Sequence, residues 1–153
     1  MEKKEGKVLA EAMFWAGRRE RSPAEVRDYL QGKGLEGTLA EEIAETLQRE
    51  GYTDPSRFAA AYVNDKFRFN QWGRLRLRLE LRQRGITEEI AASALNSIAE
   101  DEYVAVIDKH LETKRKQLKD LDRLSLLHKL TTFAVRKGFE PALVRERALL
   151  LFP

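Results

Sequence analysis

The sequence predicts an all-α protein made of three related three-helix units stacked as an array, and three observations lead there. First, three glycines, each preceded by a basic residue and followed by a large apolar one, punctuate the chain: Lys33-Gly34-Leu35, Arg84-Gly85-Ile86 and Lys137-Gly138-Phe139, spaced 51 and 53 residues apart. Second, the residues eight and four positions before each glycine are apolar: Val26 and Leu30, Leu77 and Leu81, Leu130 and Ala134. An apolar pair four apart that ends in glycine after Lys or Arg describes a helix with a core stripe and a left-handed C-terminal cap. Third, helix-start signals fall where the stop signals require them. Any α protein can supply capped helices by chance, but self-similarity at a period near 50 is the mark of a stacked helical array.

Each element follows from those signals. Ser22-Pro23-Ala24-Glu25 combines an N-cap serine, a proline at the first helical position and a capping-box glutamate. Thr38-Leu39-Ala40-Glu41 repeats the capping-box pattern, while Asp54-Pro55 and Glu140-Pro141 put proline where a helix begins. Helices are therefore expected near 5–18, 23–32, 39–50, 55–68, 73–84, 88–99, 101–120, 123–137 and 141–151. They group into a first repeat over 1–52, a second, basic repeat over 53–100 and a third over 101–153.

The segment around residue 77 is the hardest to assign. Leu75, Leu77, Leu79 and Leu81 alternate with Arg74, Arg76, Arg78, Glu80 and Arg82, and alternation is the signature of a half-buried strand. Leu, Arg, Glu and Gln are good helix formers without β-branching, and the repeat aligns this segment with 26–34, so helix is the better reading. In that helix Leu77 and Leu81 form the core stripe and Leu75 and Leu79 lie nearly opposite. Burying a second leucine stripe contributes about 1.5–3 kcal/mol per side chain, so neighbouring helices are expected to cover it, or failing them a partner.

Composition narrows the function. Hydrophobic residues make up 42% and charged residues 35% of the 153-residue chain, too apolar for a disordered protein. The absence of cysteine excludes disulfides, thiolate catalysis and cysteine-based metal centres and fits a reducing compartment. The N-terminus lacks the apolar stretch of a secretory signal and no apolar run approaches membrane-spanning length, so a soluble, cytoplasmic protein with no membrane partner is expected. His110 and His128 are the two imidazoles; they lie in separate expected helices with no HExxH and no glycine-rich phosphate loop. Both read as surface or capping residues. The pairs Glu41-Glu42 and Glu88-Glu89 fall in first helical turns, where acids suit the helix dipole. No catalytic residue, metal site or cofactor is expected, and the chain does not read as an enzyme.

Charge is local. Lys66 to Arg84 holds seven basic residues against Glu80 alone, so this stretch is +6 within a chain whose net charge is +3. Lys66, Arg68, Arg74, Arg76, Arg78, Arg82 and Arg84 are interleaved with Phe67, Phe69 and Trp72, the mixture that meets phosphates with guanidinium forks and offers stacking faces to bases. Trp72 and these basic residues are the expected partner or DNA contacts; the alternative is that the aromatics are core and the arginines solvated. A second basic run, Lys114-Arg115-Lys116 with Lys119, lies beyond an acid-rich stretch and is a further candidate contact, or the polar face of a helix. Arg18, Arg19 and Arg21 sit where they stabilise the end of the first helix through its dipole.

With those residues laid out, the chain resembles the RecX family of regulators of the RecA recombinase. Arg18-Arg19-Glu20-Arg21-Ser22-Pro23-Ala24-Glu25-Val26-Arg27 is similar to the family's arginine-x-x-serine start, and Gly51-Tyr52-Thr53-Asp54-Pro55-Ser56-Arg57-Phe58-Ala59 to the junction opening the second unit, with Pro55 in place of a second acid. The strongest likeness is Gly73-Arg74-Leu75-Arg76-Leu77-Arg78-Leu79-Glu80-Leu81-Arg82-Gln83-Arg84-Gly85-Ile86; Leu130 to Phe139 resembles the third unit's marker. The resemblance runs from about Val8 to Leu150. It departs in a longer loop after Gly34 and in leucines at 75 and 79.

The resemblance implies a curved, elongated monomer of three tandem three-helix repeats. It also implies binding to RecA filaments and inhibition of strand exchange, coupled ATP hydrolysis and the DNA-damage (SOS) response. A non-catalytic wedge in the filament groove, with the basic middle repeat facing inward, is the expected mechanism. Two rival readings remain. A free-standing helix-turn-helix DNA-binding protein would need a base-reading set of Arg, Asn and Gln at a helix start, and none is evident. A structural scaffold using the leucine faces predicts a stable oligomer.

Overall fold

In the computed structural model, which describes residues 3–153, all regular structure among the described residues is helical. Nine α-helices follow in order: α1 (Lys3–Gly17), α2 (Pro23–Gly32), α3 (Thr38–Arg49), α4 (Pro55–Asp65), α5 (Arg74–Gln83), α6 (Glu88–Asn96), α7 (Glu100–Gln117), α8 (Arg123–Arg136) and α9 (Pro141–Leu151). One π-helical turn, Lys66–Asn70, continues α4. The expected 55–68 helix thus changes type after Asp65. Gln71 takes the left-handed conformation at φ 56°, and the Trp72 N–H reaches back to the Lys66 carbonyl.

The three punctuating glycines end their helices in one shared way. Gly34, Gly85 and Gly138 have φ of 81°, 83° and 99°. The N–H of the apolar residue after each glycine donates to the carbonyl five positions back: Leu35 to Leu30 at 3.0 Å, Ile86 to Leu81 at 3.0 Å, Phe139 to Ala134 at 3.4 Å. The glycine N–H donates to Gln31, Arg82 and Val135 respectively. This is the Schellman arrangement, in which glycine avoids the Cβ penalty of a left-handed residue and an apolar residue folds back onto the helix. Leu35, Ile86 and Phe139 are all buried.

Start signals divide. Ser22 forms the full capping box, its hydroxyl accepting from the Glu25 N–H and its own N–H donating to Glu25 Oε1, both at 3.1 Å. Asp54 Oδ1 accepts from the Ser56 and Arg57 N–H groups at the head of α4. The capping box expected at Thr38 does not form: Gly37 is the N-cap and Thr38 is already helical, so no hydroxyl stands outside the helix to cap it. Glu140 also provides no side-chain cap, because its carboxylate is engaged elsewhere.

Contacts divide the described chain into two compact units, residues 3–62 with Glu80–Ala92, and Val63–Leu79 with Ser93–Pro153. Each of α4, α5 and α6 contributes residues to both units. In the first unit α1, α2 and α3 pack around Val8, Ala12, Val26, Leu30, Leu35, Ile43 and Leu47. In the second, α7, α8 and α9 pack on one another. Phe67, Tyr103, Phe139 and His110 form a chain of ring contacts there, with centroids 5.3–5.9 Å apart.

One joint recurs in both units. In the first, the Ala24 N–H at the head of α2 donates to the Arg84 carbonyl at 3.1 Å. In the second, the Gly73 N–H donates to the Lys137 carbonyl at 2.8 Å and the Leu75 N–H to the Gly138 carbonyl at 3.0 Å. Helix starts carry orphan N–H groups and helix ends orphan carbonyls, so setting the start of one helix on the glycine-capped end of another satisfies both. The head-to-tail direction also aligns their dipoles favourably.

The residue 77 segment is a helix, and its two leucine pairs separate completely. Leu77 and Leu81 are 0% exposed, whereas Leu75 and Leu79 are 45% and 49% exposed. The expectation that neighbouring helices cover the second stripe therefore fails. Helical spacing turns residues 75 and 79 to the side of α5 away from 77 and 81.

Candidate docking surface

The basic segment presents its cations in three different circumstances. Arg68, Arg74 and Arg84 are bound to acids. Arg68 bridges Asn64 Oδ1 at 2.7 Å and Glu102 Oε1 at 2.8 Å. Arg84 holds Glu80 Oε2 at 2.8 Å, donates to the Glu80 carbonyl, and lies 4.8 Å from the Tyr62 ring centroid.

Arg74 is the most enclosed of the set. Its Nε donates to Glu140 Oε2 at 2.8 Å and its Nη1 to Glu100 Oε2 at 3.0 Å, with the guanidinium 3.8 Å from the Tyr103 ring centroid. The Tyr103 hydroxyl accepts from the Arg74 N–H at 2.9 Å and donates to Glu140 Oε1. Burial, aided by the neighbouring carboxylate, pushes the Tyr103 phenol above its ordinary pKa. Burial opposes the charge of Arg74, and Glu100 and Glu140 more than offset it, so the guanidinium is held more firmly protonated than usual. Arg74 is therefore a structural clamp on Tyr103 and Glu140.

The second circumstance is aromatic. The Arg76 guanidinium lies 3.8 Å from the Trp72 ring centroid and the Lys66 ammonium 5.4 Å from it, so the half-buried indole gathers two cations at the start of α5. Phe67 is core, and Phe69 is 82% exposed. Arg78 is half-buried. In the third circumstance Arg82 stands exposed on α5 with no ion pair among the described residues.

The second basic run ends α7. Lys114, Arg115 and Lys116 occupy its last turn, as the dipole favours, and Arg115 donates to the Leu118 carbonyl at 3.1 Å. Lys116 and Lys119 are exposed. Near the end of α1, Arg21 rather than Arg18 or Arg19 caps the helix. Its Nε and Nη2 donate to the Trp15 carbonyl while the guanidinium lies 4.2 Å from the Trp15 ring centroid.

Reasoning from sequence missed a cationic groove between α7 and α8. Lys114, Leu118, His128, Lys129, Thr132, Phe133, Arg136 and Lys137 line a volume of about 470 Å³. The signal was available: residues 129, 133 and 136 recur at helical spacing on one face of α8, and Lys137 at its C-cap continues that face. The histidines also part company. His128 is exposed, but His110, read as a surface or capped residue, is 8% exposed and packs against Phe133 and Phe139. Burial first, then the charge of Lys137, lowers its pKa.

The chain is similar to known proteins in both sequence and fold. The family model described as RecX, second three-helix domain, matches residues 56–95. The regulatory protein RecX of Prosthecochloris aestuarii is 31% identical over 140 residues, which cover 92% of this chain and 90% of that protein. The chain belongs to the RecX family. The regulatory protein RecX of Geobacillus kaustophilus is 30% identical over 133 residues, covering 87% of this chain and 49% of that protein. The chain thus spans about half the length of several curated RecX relatives it matches. Its fold is that of a crystal structure of RecX from Lactobacillus salivarius, with a TM-score of 0.88, 20% identity, and coverage of 97% of this chain and 96% of that one. These likenesses are consistent with a helical repeat array and with membership of a family of regulatory proteins.

Proposed function

We propose that this chain is a non-catalytic regulator that binds RecA filaments on single-stranded DNA and inhibits recombination and the coupled ATP hydrolysis, damping the SOS response. Family membership carries this reading. Support from the molecule lies in the cations that the fold leaves unpaired by acids: Arg76 on Trp72, Arg82 on α5, Lys116 in the last turn of α7 and Lys119 beyond it. Arg68, Arg74 and Arg84 spend their charge on internal acids, so the contact surface is narrower than the basic segment as a whole. A strongly paired guanidinium has to give up its partner before it binds another, whereas Arg82 does not.

The Leu75 and Leu79 stripe adds an apolar strip on the same helix as Arg76 and Arg82, suiting a protein surface as well as a charged one. Co-sedimentation tests this reading. The chain should pellet with RecA–DNA filaments, and an Arg76→Ala/Arg82→Ala variant with an unchanged helical CD spectrum should pellet at least fivefold less. Equal pelleting of the variant would remove α5 from the contact. Pelleting that tracks DNA alone, with or without RecA, would favour the free-standing DNA-binding reading.

A further inference from the structure

We infer that the groove between α7 and α8 is a binding site for the backbone of single-stranded nucleic acid. This goes beyond the filament reading and stands whether or not the chain inhibits a recombinase, since it requires no other protein.

The lining carries four fixed positive charges, Lys114, Lys129, Arg136 and Lys137, together with His128, and no acidic side chain. None of the four makes an ion pair with an acid among the described residues, in contrast to Arg68, Arg74 and Arg84. Arg68, Arg74 and Arg84 are matched with carboxylates; here four cations converge on a concavity whose lining carries no acid. Like charges so gathered repel, and a polyanion entering the groove relieves the repulsion.

The ring of Phe133 positions two of these charges. The Lys114 ammonium lies 4.9 Å and the Lys137 ammonium 5.6 Å from its centroid. A cation attracted to an aromatic face is held more firmly than one on a freely moving stem. Lys137 is held a second way, since its backbone caps α8 and its carbonyl takes the Gly73 N–H. The two lysines come from opposite sides of the groove, Lys114 from α7 and Lys137 from the end of α8, and Lys129 and Arg136 continue the face of α8.

The hydrogen-bonding character selects between polyanions. Lysine and arginine donate only, and the lining contains no Asp, Glu, Asn or Gln side chain to accept. An acidic peptide brings backbone N–H groups that would find few acceptors there. A phosphodiester backbone brings acceptors, which is what the groove can satisfy. The apolar surface of Leu118 and Phe133 then offers contact to a sugar or an unstacked base, a contact that a strand outside a duplex can make. The volume of about 470 Å³ is of the size that takes a small ligand or a short stretch of a strand.

Fluorescence anisotropy of a labelled 15-nucleotide oligo(dT), titrated with the chain alone over a salt series, tests the site. The wild-type chain should bind with steep salt dependence. Lys114→Gln/Lys129→Gln/Arg136→Gln should weaken binding at least tenfold. It should also flatten the slope of log K against log salt by about 2, since each phosphate contact on a single strand accounts for about 0.7. A charge-matched Lys7→Gln/Arg27→Gln/Arg49→Gln variant should bind within twofold of wild type. NMR titration of the unmutated chain with the same oligonucleotide should shift the Thr132 and Phe133 amides, a readout indifferent to how the variants fold. Unchanged binding by the groove variant, shifts confined to other segments, or displacement of the oligonucleotide by polyglutamate at equal charge would overturn the assignment. Binding without any inhibition of RecA would uphold the site while refuting the filament reading.

Discussion

Gly73 and Gly138 meet backbone to backbone: a Cβ on Gly73 would stand 2.2 Å from the Gly138 carbonyl carbon, and one on Gly138 would stand 2.3 Å from the Arg76 Cβ. Two peptide chains pass where no side chain fits, and the Gly73-to-Lys137 and Leu75-to-Gly138 hydrogen bonds depend on that approach. Gly73→Ala should therefore destabilise the second unit by about 1–3 kcal/mol, as forced backbone shifts do. Gly138→Ala adds the penalty of a left-handed alanine at φ 99°. Gly51 also has positive φ, but a Cβ there meets nothing within 4 Å, so Gly51→Ala carries the conformational penalty alone. Urea unfolding should rank the losses Gly138 above Gly51, and equal losses would show that the close approach is not what glycine serves.

The two leucine stripes of α5 supply a sharper contrast. Leu77→Ala or Leu81→Ala empties a fully buried position and should cost about 2–5 kcal/mol. Leu75→Ala and Leu79→Ala remove half-exposed side chains and should cost less than about 1 kcal/mol. Denaturation midpoints of the four variants should fall into two groups. If they do not, the helical register of α5 is wrong.

Tyr103 should make stability fall in alkali. Its folded pKa is raised above the ordinary value of 10 by burial, so the folded state holds the proton more tightly than the unfolded state. That stabilisation is fully present below pH 10 and is lost as pH rises beyond it. Tyr103→Phe should flatten this alkaline decline and, by leaving the Arg74 N–H and a Glu140 oxygen without their partner, cost about 1–3 kcal/mol at neutral pH. Unfolding free energy measured from pH 8 to 11 checks both effects.

His110 acts in the opposite direction. Burial and Lys137 lower its folded pKa below the ordinary 6.5, so the unfolded state binds the proton first as pH falls. Its contribution is present above pH 6.5 and is lost as pH drops below that value. NMR titration should place the His110 midpoint below 6.5. A midpoint above 6.5 would mean that the ring is charged in the folded chain.

Much of this architecture was legible because its signals are local. A glycine after a basic residue, an apolar pair four apart and Ser-Pro-x-Glu all act within one or two helical turns, and the helices of the fold lie within a few residues of the places they indicate. Arg74 shows where legibility ends. It stood among the expected partner or DNA contacts, but its partners Glu100 and Glu140 lie 26 and 66 residues away, and no pattern within α5 announces them. His110 was misread for the same reason, since Phe133 and Phe139 reach it from another part of the chain. The Thr38 cap failed for a different one: Gly37, with its positive φ, starts the helix one residue earlier.

The central claim, regulation of RecA by direct inhibition, is tested most directly by adding the purified chain to preformed RecA filaments on single-stranded DNA and following ATP hydrolysis. Hydrolysis should fall progressively and approach a floor as the chain saturates the filament. A rate that stays constant at every concentration of the chain would contradict the account.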